Sequence, residues 1–253
     1  MDSDKKVNLT QNFKDKIEPK SQFLKKKIPG VKKIIAISSA KGGVGKSTIC
    51  ANLAVASSKQ NLSIGLLDAD IYGPSIPDLF GVFDKPTADA NKKLNPIIRQ
   101  NIKLISMGFL IDKNSPMVWR GPMVISAIKS FLNNVNWGNL DCLFVDLPPG
   151  TGDAILTFAQ ELDVSSSIII TTPQKLSITD ANRGIEMFRK TNIPVLGVIE
   201  NMSGLVINGK VNPPEASLEI NGKPIQKNQN GDFEIKFDIF KVGGGKKESE
   251  RLG

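Results

Sequence analysis

The sequence predicts an α/β fold of three layers, with helices on both faces of a mostly parallel central sheet. From Lys33 onward, short apolar runs alternate with helical patterns, as a series of βαβ units requires. Runs such as Leu143-Phe144-Val145 and Ile168-Ile169-Ile170 are apolar without alternation, as strands covered on both faces are. The glycine-rich stretch Ala40-Lys41-Gly42-Gly43-Val44-Gly45-Lys46-Ser47-Thr48 follows the apolar run Ile34-Ile35-Ala36-Ile37 directly. A loop of this kind between a first strand and a first helix is a phosphate cradle, and it narrows the expectation to a P-loop NTPase fold.

Taken in order, the first strand is expected at 33–39 and leads through that loop into a helix at 45–59. Strands at 62–67 and 102–107 follow, then a helix at 122–135. A strand at 140–146 feeds a helix at 153–161, and the pattern closes with a strand at 167–172, a helix at 175–191 and a strand at 194–199. Right-handed crossovers then collect the loops after the strands along one edge, where ligands bind in such sheets. Residues 205–237 break the rhythm with Asn, Gly, Lys and Pro and only weak alternation at Leu218-Glu219-Ile220 and Phe233-Glu234-Ile235. They read as an irregular β-hairpin excursion within one ATPase domain spanning 33–253. Gly243-Gly244-Gly245 reads as a structural turn, with a second phosphate loop as the alternative.

Composition narrows the chemistry. A chain of 253 residues with 40% hydrophobic content suits one large globular domain. Histidine is absent, which removes Ser-His-Asp and Cys-His catalysis and every histidine-containing metal site. The two cysteines, Cys50 and Cys142, lie far apart in apolar contexts and read as buried structural thiols. The first 33 residues hold ten lysines against four acids, and the rest is nearly neutral. That start, residues 1–32, reads as a basic flexible tail; a nucleic-acid or membrane contact is the less favoured alternative. No apolar run reaches the length of a membrane span and no secretory signal pattern is present, so a cytoplasmic location is the default expectation.

The loop assigns roles by chemistry. Backbone N–H groups of Gly42, Gly43 and Gly45 can turn inward on a phosphate. Lys46 can reach the β- and γ-phosphates, and the Ser47 hydroxyl is placed for Mg²⁺. Ala40 replaces the first glycine of the general template, and Lys41 adds a second lysine at the leading edge. Asp146 ends an apolar strand and opens Asp146-Leu147-Pro148-Pro149-Gly150-Thr151-Gly152-Asp153, which suits water-mediated Mg²⁺ binding and a γ-phosphate switch. In Leu67-Asp68-Ala69-Asp70-Ile71-Tyr72-Gly73-Pro74-Ser75, Asp70 is the candidate for orienting the attacking water, while Asp68 is a structural or magnesium-side partner or a turn cap. No Asn-Lys-x-Asp occurs, the nearest approach being Asn91-Lys92-Lys93-Leu94, so ATP is preferred to GTP. Arg120 can contact phosphate, although a surface or interface role fits it better.

With Lys41, Asp70 and the Asp146 segment in place, the chain resembles the deviant-loop ATPases that include MinD, ParA and the nitrogenase iron protein. Within that group it is most similar to the Mrp/ApbC type, the iron–sulfur cluster carriers. The match rests on Lys41 through Thr48, Asp68 to Ser75, Trp119 to Met123, Asp146 to Asp153, Thr172-Pro173-Gln174 and Glu200-Asn201-Met202-Ser203. The resemblance implies a slow, partner-regulated ATPase using ATP and Mg²⁺, acting as a homodimer with Lys41 reaching the partner's nucleotide and Asn201 hydrogen-bonding adenine. It further implies an iron–sulfur cluster handed to apoprotein clients. Many members carry Cys-x-x-Cys shortly after the Asn-Met-Ser segment; here Gly204 to Phe240 contains no cysteine, so the cluster ligands are unknown. The family commonly continues beyond this chain's last residue, so the domain is expected to be truncated at its C-terminus. A MinD/ParA-like switch binding membrane or DNA is the alternative function, with the basic tail as its support; an inactive remnant is a third.

Overall fold

The computed structural model describes residues 25–110, 121–150 and 152–238. Its centre is a seven-stranded sheet formed by β1 (Ile34–Ser38), β2 (Ile64–Asp68), β3 (Ile97–Arg99), β4 (Ile102–Ser106), β5 (Cys142–Asp146), β6 (Ser166–Thr171) and β7 (Val195–Glu200). The order across the sheet is β3-β4-β2-β5-β1-β6-β7, and only the β3–β4 pair is antiparallel. Helices α1 (Lys46–Ser58), α2 (Ile76–Phe80), α3 (Gly121–Asn133), α4 (Asp153–Glu161) and α5 (Lys175–Lys190) make the crossovers, with a short 3₁₀ turn at Met107–Leu110.

Period-2 side-chain alternation explains why these strands are apolar throughout. Ile64 and Leu66 of β2 join one buried cluster with Cys50, Ala51 and Ala54 of α1. Leu67 faces the other cluster, with Phe131 of α3, Phe158 of α4 and Phe188 of α5. Both faces are therefore dry, and every β2 and β5 residue is buried. Among the described residues no helix is long and apolar enough to cross a membrane.

Three features depart from the expected elements. Strand β3 turns into β4 through Gln100 and Asn101, both at positive φ, a tight hairpin turn without the glycine that usually marks one. Helix α2 starts with Pro77 in its first turn and stops at Gly81 with φ 60, too short to leave a helical period in the sequence. Residues 26–32, assigned to a flexible tail by composition, are packed. Lys26 N–H donates to the Glu161 carbonyl at 2.9 Å, Leu140 N–H donates to the Gly30 carbonyl at 2.9 Å, and Ile28 lies in the core. Residues 1–24 of that tail, and the glycine turn at 243–245, lie outside the described residues.

After β7 the chain forms β8 (Leu205–Lys210), which pairs antiparallel with β11 (Asp232–Phe237) over six residues. A smaller pair, β9 (Glu219–Ile220) with β10 (Lys223–Pro224), lies between them in sequence. Parallel register places the ends of β1, β2 and β5 side by side, with Asp68 opposite Asp146 and Ile37 opposite Asp146. The loops that follow those three strands build the site.

Candidate nucleotide site

The loop from β1 into α1 is shaped by Gly43 at φ 79 and Gly45 at φ 84, left-handed conformations that favour glycine. Gly45 caps α1 without any side-chain hydrogen bond, which leaves the first-turn N–H groups open to an anion. A Cβ at Gly42 or Gly43 would meet no protein atom, because both glycines border a cavity of about 260 Å³. That cavity is lined by Gly42, Gly43, Gly45, Lys46, Ser47 and Thr48, together with Ser39, Asp70, Gly73, Ser75 and Pro149.

Lys46 is buried, 6% exposed, and its ammonium is held by two carboxylates. Its Nζ donates to Asp146 Oδ1 at 2.7 Å and lies 3.4 Å from Asp70 Oδ2. The same Nζ donates to Ser47 Oγ at 3.3 Å. Burial pushes the Asp146 carboxyl above its ordinary range, and the Lys46 charge pulls it back. Asp146 Oδ2 is buried with no hydrogen-bond partner among the described residues. Such an orphaned oxygen beside a hydroxyl and a second carboxylate is a hard-oxygen donor set that fits Mg²⁺. Ser47 and Asp146 are the residues that would hold it, directly or through water.

Asp68 and Asp70 divide the work of the next loop. Asp70 Oδ1 accepts the N–H groups of Tyr72 at 3.2 Å and Gly73 at 3.3 Å, which aims its other oxygen at Lys46. Asp68 is fully buried; its Oδ1 accepts Asp70 N–H at 3.2 Å, and its Oδ2 accepts Ile76 N–H at 3.2 Å and the Ser106 hydroxyl at 2.9 Å. Burial, then the neighbouring Asp146 charge, raise its pKa to about 7.

The structure thus brings together Gly42, Gly43, Gly45, Lys46, Ser47, Thr48 and Asp70 around one cavity, with Asp146 in contact with Lys46. Ala40, Lys41, Val44 and Asn201 do not line it. Lys41 is solvent-exposed, and its carbonyl accepts the Ser39 hydroxyl at 2.9 Å. Asn201 Nδ2 donates to the Val44 carbonyl at 2.9 Å while its backbone N–H donates to Thr171. It therefore clamps the phosphate loop to the end of β6. A Cβ at Gly45 would lie 2.4 Å from Asn201 Nδ2, so a side chain there must displace the Asn201 amide as well as adopt a φ that favours glycine. Of the other lining residues, Gly73, Ser75 and Pro149 lie within the motifs read from sequence without a role of their own there, and Ser39 flanks the phosphate loop. Gly150, at φ 104, donates its N–H to the Ser39 carbonyl at 2.8 Å and ties the Asp146 segment to the phosphate loop. Arg120 and Thr151 lie outside the described residues.

Both cysteines are buried and free. Burial pushes Cys50 well above the ordinary thiol range and Cys142 up to about 12, so neither offers a thiolate. Among the described residues no cluster of three or more His, Cys, Asp or Glu is arranged to hold a metal ion.

A family model described as ParA: NUBPL iron-transfer P-loop NTPase matches residues 30–244. The chain belongs to this family. An iron–sulfur cluster carrier protein of Aquifex aeolicus is 50% identical over 183 residues, covering 72% of this chain and 50% of that protein. The iron–sulfur cluster transfer protein NUBPL of Dictyostelium discoideum is 49% identical over 184 residues, 72% of this chain and 57% of that protein. The NUBPL-family chain thus spans between half and three fifths of these relatives. Among solved structures, a nucleotide-binding protein of Archaeoglobus fulgidus in complex with ADP superposes with a TM-score of 0.67 at 34% identity, covering 88% of this chain and 79% of that one. MinD of Pyrococcus horikoshii with Mg-ADP, at 22% identity and a TM-score of 0.50 over 66% of this chain and 69% of that one, shares the fold.

Proposed function

We propose that this protein binds Mg-ATP in the 260 Å³ cavity and hydrolyses it slowly, using the cycle to carry iron–sulfur clusters to apoproteins. The observation that carries the nucleotide half is the buried Lys46 ammonium set between Asp146 and Asp70 at the cavity wall, in a chain of the iron-transfer family. When ATP enters, its phosphates offer Lys46 a stronger partner than the carboxylates, and Asp146, with Ser47, would hold Mg²⁺. The bound ion would supply charge neutralisation at the departing γ-phosphoryl group. Lys46 adds to that neutralisation, and Asp70 accepts a hydrogen bond from the attacking water. Lys41, solvent-exposed, reaches across a homodimer to the partner's nucleotide, and Asn201 contacts adenine with the amide hydrogen and oxygen its Val44 bond leaves over.

The cluster is cargo. With Cys50 and Cys142 buried as thiols, its ligands come from the protein that receives or delivers it. The relatives named as cluster carriers support this half of the reading. Its expected setting is the cytoplasm.

The test is anaerobic cluster transfer from iron and sulfide to a thiol-bearing apoprotein, with and without Mg-ATP. Native chain and a Cys50→Ser, Cys142→Ser double variant should accelerate transfer equally, and only with nucleotide; Lys46→Ala should not accelerate it. Equal transfer by Lys46→Ala would sink the coupling of ATP to cargo.

A further inference from the structure

We infer that Ser106 and Gly108, on the loop after β4, are positioning residues for Asp70. The inference rests on the ATPase reading and adds to it a second loop that sets the geometry of hydrolysis. Neither residue lines the nucleotide cavity, and no motif in the sequence points to either.

Ser106, the last residue of β4, pairs in parallel register with Asp68 at the end of β2. Ser106 is buried, so its hydroxyl must find partners inside the protein, and it finds two. It donates to Asp68 Oδ2 at 2.9 Å and accepts Gly108 N–H at 3.0 Å. The donated bond fixes the rotation of the Asp68 carboxylate. The two oxygens of that carboxylate then hold both ends of the segment from Asp70 to Ile76, each through a backbone N–H at 3.2 Å.

A second contact acts on the middle of the same segment. Gly108 lies against Pro74, and a Cβ built on Gly108 would sit 3.1 Å from both Cβ and Cγ of that ring. Pro74 is rigid and follows Gly73, whose N–H supports Asp70 Oδ1. The Asp70 loop is thus held at its start and end by Asp68, which Ser106 orients, while the absence of a side chain at Gly108 leaves Pro74 its place in the middle. Freeing Ser106 from Asp68 lets the carboxylate rotate; adding a methyl at Gly108 pushes Pro74 outward. Either change displaces Asp70 Oδ2 from its station 3.4 Å from Lys46 Nζ.

A displacement of this kind affects the step that needs an aligned water and leaves phosphate binding by the 40–48 loop intact. For Ser106→Ala and for Gly108→Ala the expected result is a kcat for ATP hydrolysis lowered about tenfold, with Mg-ATP affinity near native and a melting temperature lowered by only a few degrees. Amide hydrogen exchange at Asp70 and Ile76 should quicken in nucleotide-free Ser106→Ala. Native kcat in both variants overturns the inference, as does a fall in kcat matched by equal losses of affinity and melting temperature, which marks a purely structural role. If the native chain hydrolyses no ATP, the ATPase reading fails by itself. Exchange at Asp70 and Ile76 then decides the grip: unchanged rates in Ser106→Ala overturn it, and faster rates uphold it.

Discussion

Lys46 Nζ lies 2.7 Å from Asp146 Oδ1, while the other oxygen of the same carboxylate is buried without a partner among the described residues. On the proposed reading the ammonium turns to phosphate and the unpaired oxygen to a hydrated cation when nucleotide binds; without nucleotide, Lys46 and Asp146 balance each other's charge.

Removing the ammonium tests this mutual hold. Lys46→Ala should abolish Mg-ATP binding by calorimetry. It leaves two buried carboxylates without their counter-charge, so it should also cost about 3–5 kcal/mol of stability near neutral pH, less where the carboxylates are protonated. A urea unfolding series at pH 8 and pH 5 would show the difference.

Lys41 separates binding from chemistry. Its side chain is exposed and its carbonyl is engaged by Ser39, so truncation leaves the loop in place. Lys41→Ala should bind Mg-ATP as native does yet lose hydrolysis by about a thousandfold, the lower end of what a cation supplied across an interface contributes. Phosphate release and equilibrium binding measured on the same preparation check it.

Gly45 sits where two constraints meet. Gly45→Ala places a Cβ at φ 84, costing about 1–2 kcal/mol, and drives it to 2.4 Å from Asn201 Nδ2. The combined effect should break the Asn201 bond to Val44 and weaken ADP affinity. Asn201→Ala removes the clash partner, so the double variant should be more stable than the sum of the two single changes implies; a double-mutant cycle measures the coupling.

Asp68 makes the nucleotide-free protein pH-dependent. Its folded pKa of about 7 lies above the ordinary 3.8, so between those values the folded state binds the extra proton. Stability is therefore greatest at the acid end of that range and falls as pH rises toward 7, and the raised Asp146 acts in the same direction. Melting temperature should rise when pH is lowered from 8 to 5, and Asp68→Asn should flatten that slope.

Much of this architecture was legible in the sequence because the pattern and the physics coincide. Buried parallel strands must be apolar on both faces, and β5 and β6 read that way. A loop that wraps phosphate needs glycine at positive φ, and Gly43 and Gly45 supply it. The rest depends on contacts across the sheet. Nothing in the neighbourhood of Ser106 distinguishes it from any serine at a strand end until β4 is laid beside β2. Asn201 was read as an adenine contact from resemblance, and its grip on Val44 appears only when β7 is placed next to β6. The β3–β4 turn was missed because Gln100 and Asn101 adopt positive φ without glycine. Ile28 was assigned to a tail because ten lysines in the first 33 residues outweigh one apolar side chain in any compositional reading.

ATP hydrolysis in the Lys46 cavity is the activity proposed for this protein. Phosphate release from Mg-ATP by the native chain and by Lys46→Ala, each in magnesium buffer and after exchange into EDTA, tests it most directly. Expected is slow turnover by the native chain that requires magnesium and disappears in the variant. Turnover that survives in Lys46→Ala, or its absence from well-folded native protein that binds Mg-ATP, would contradict it.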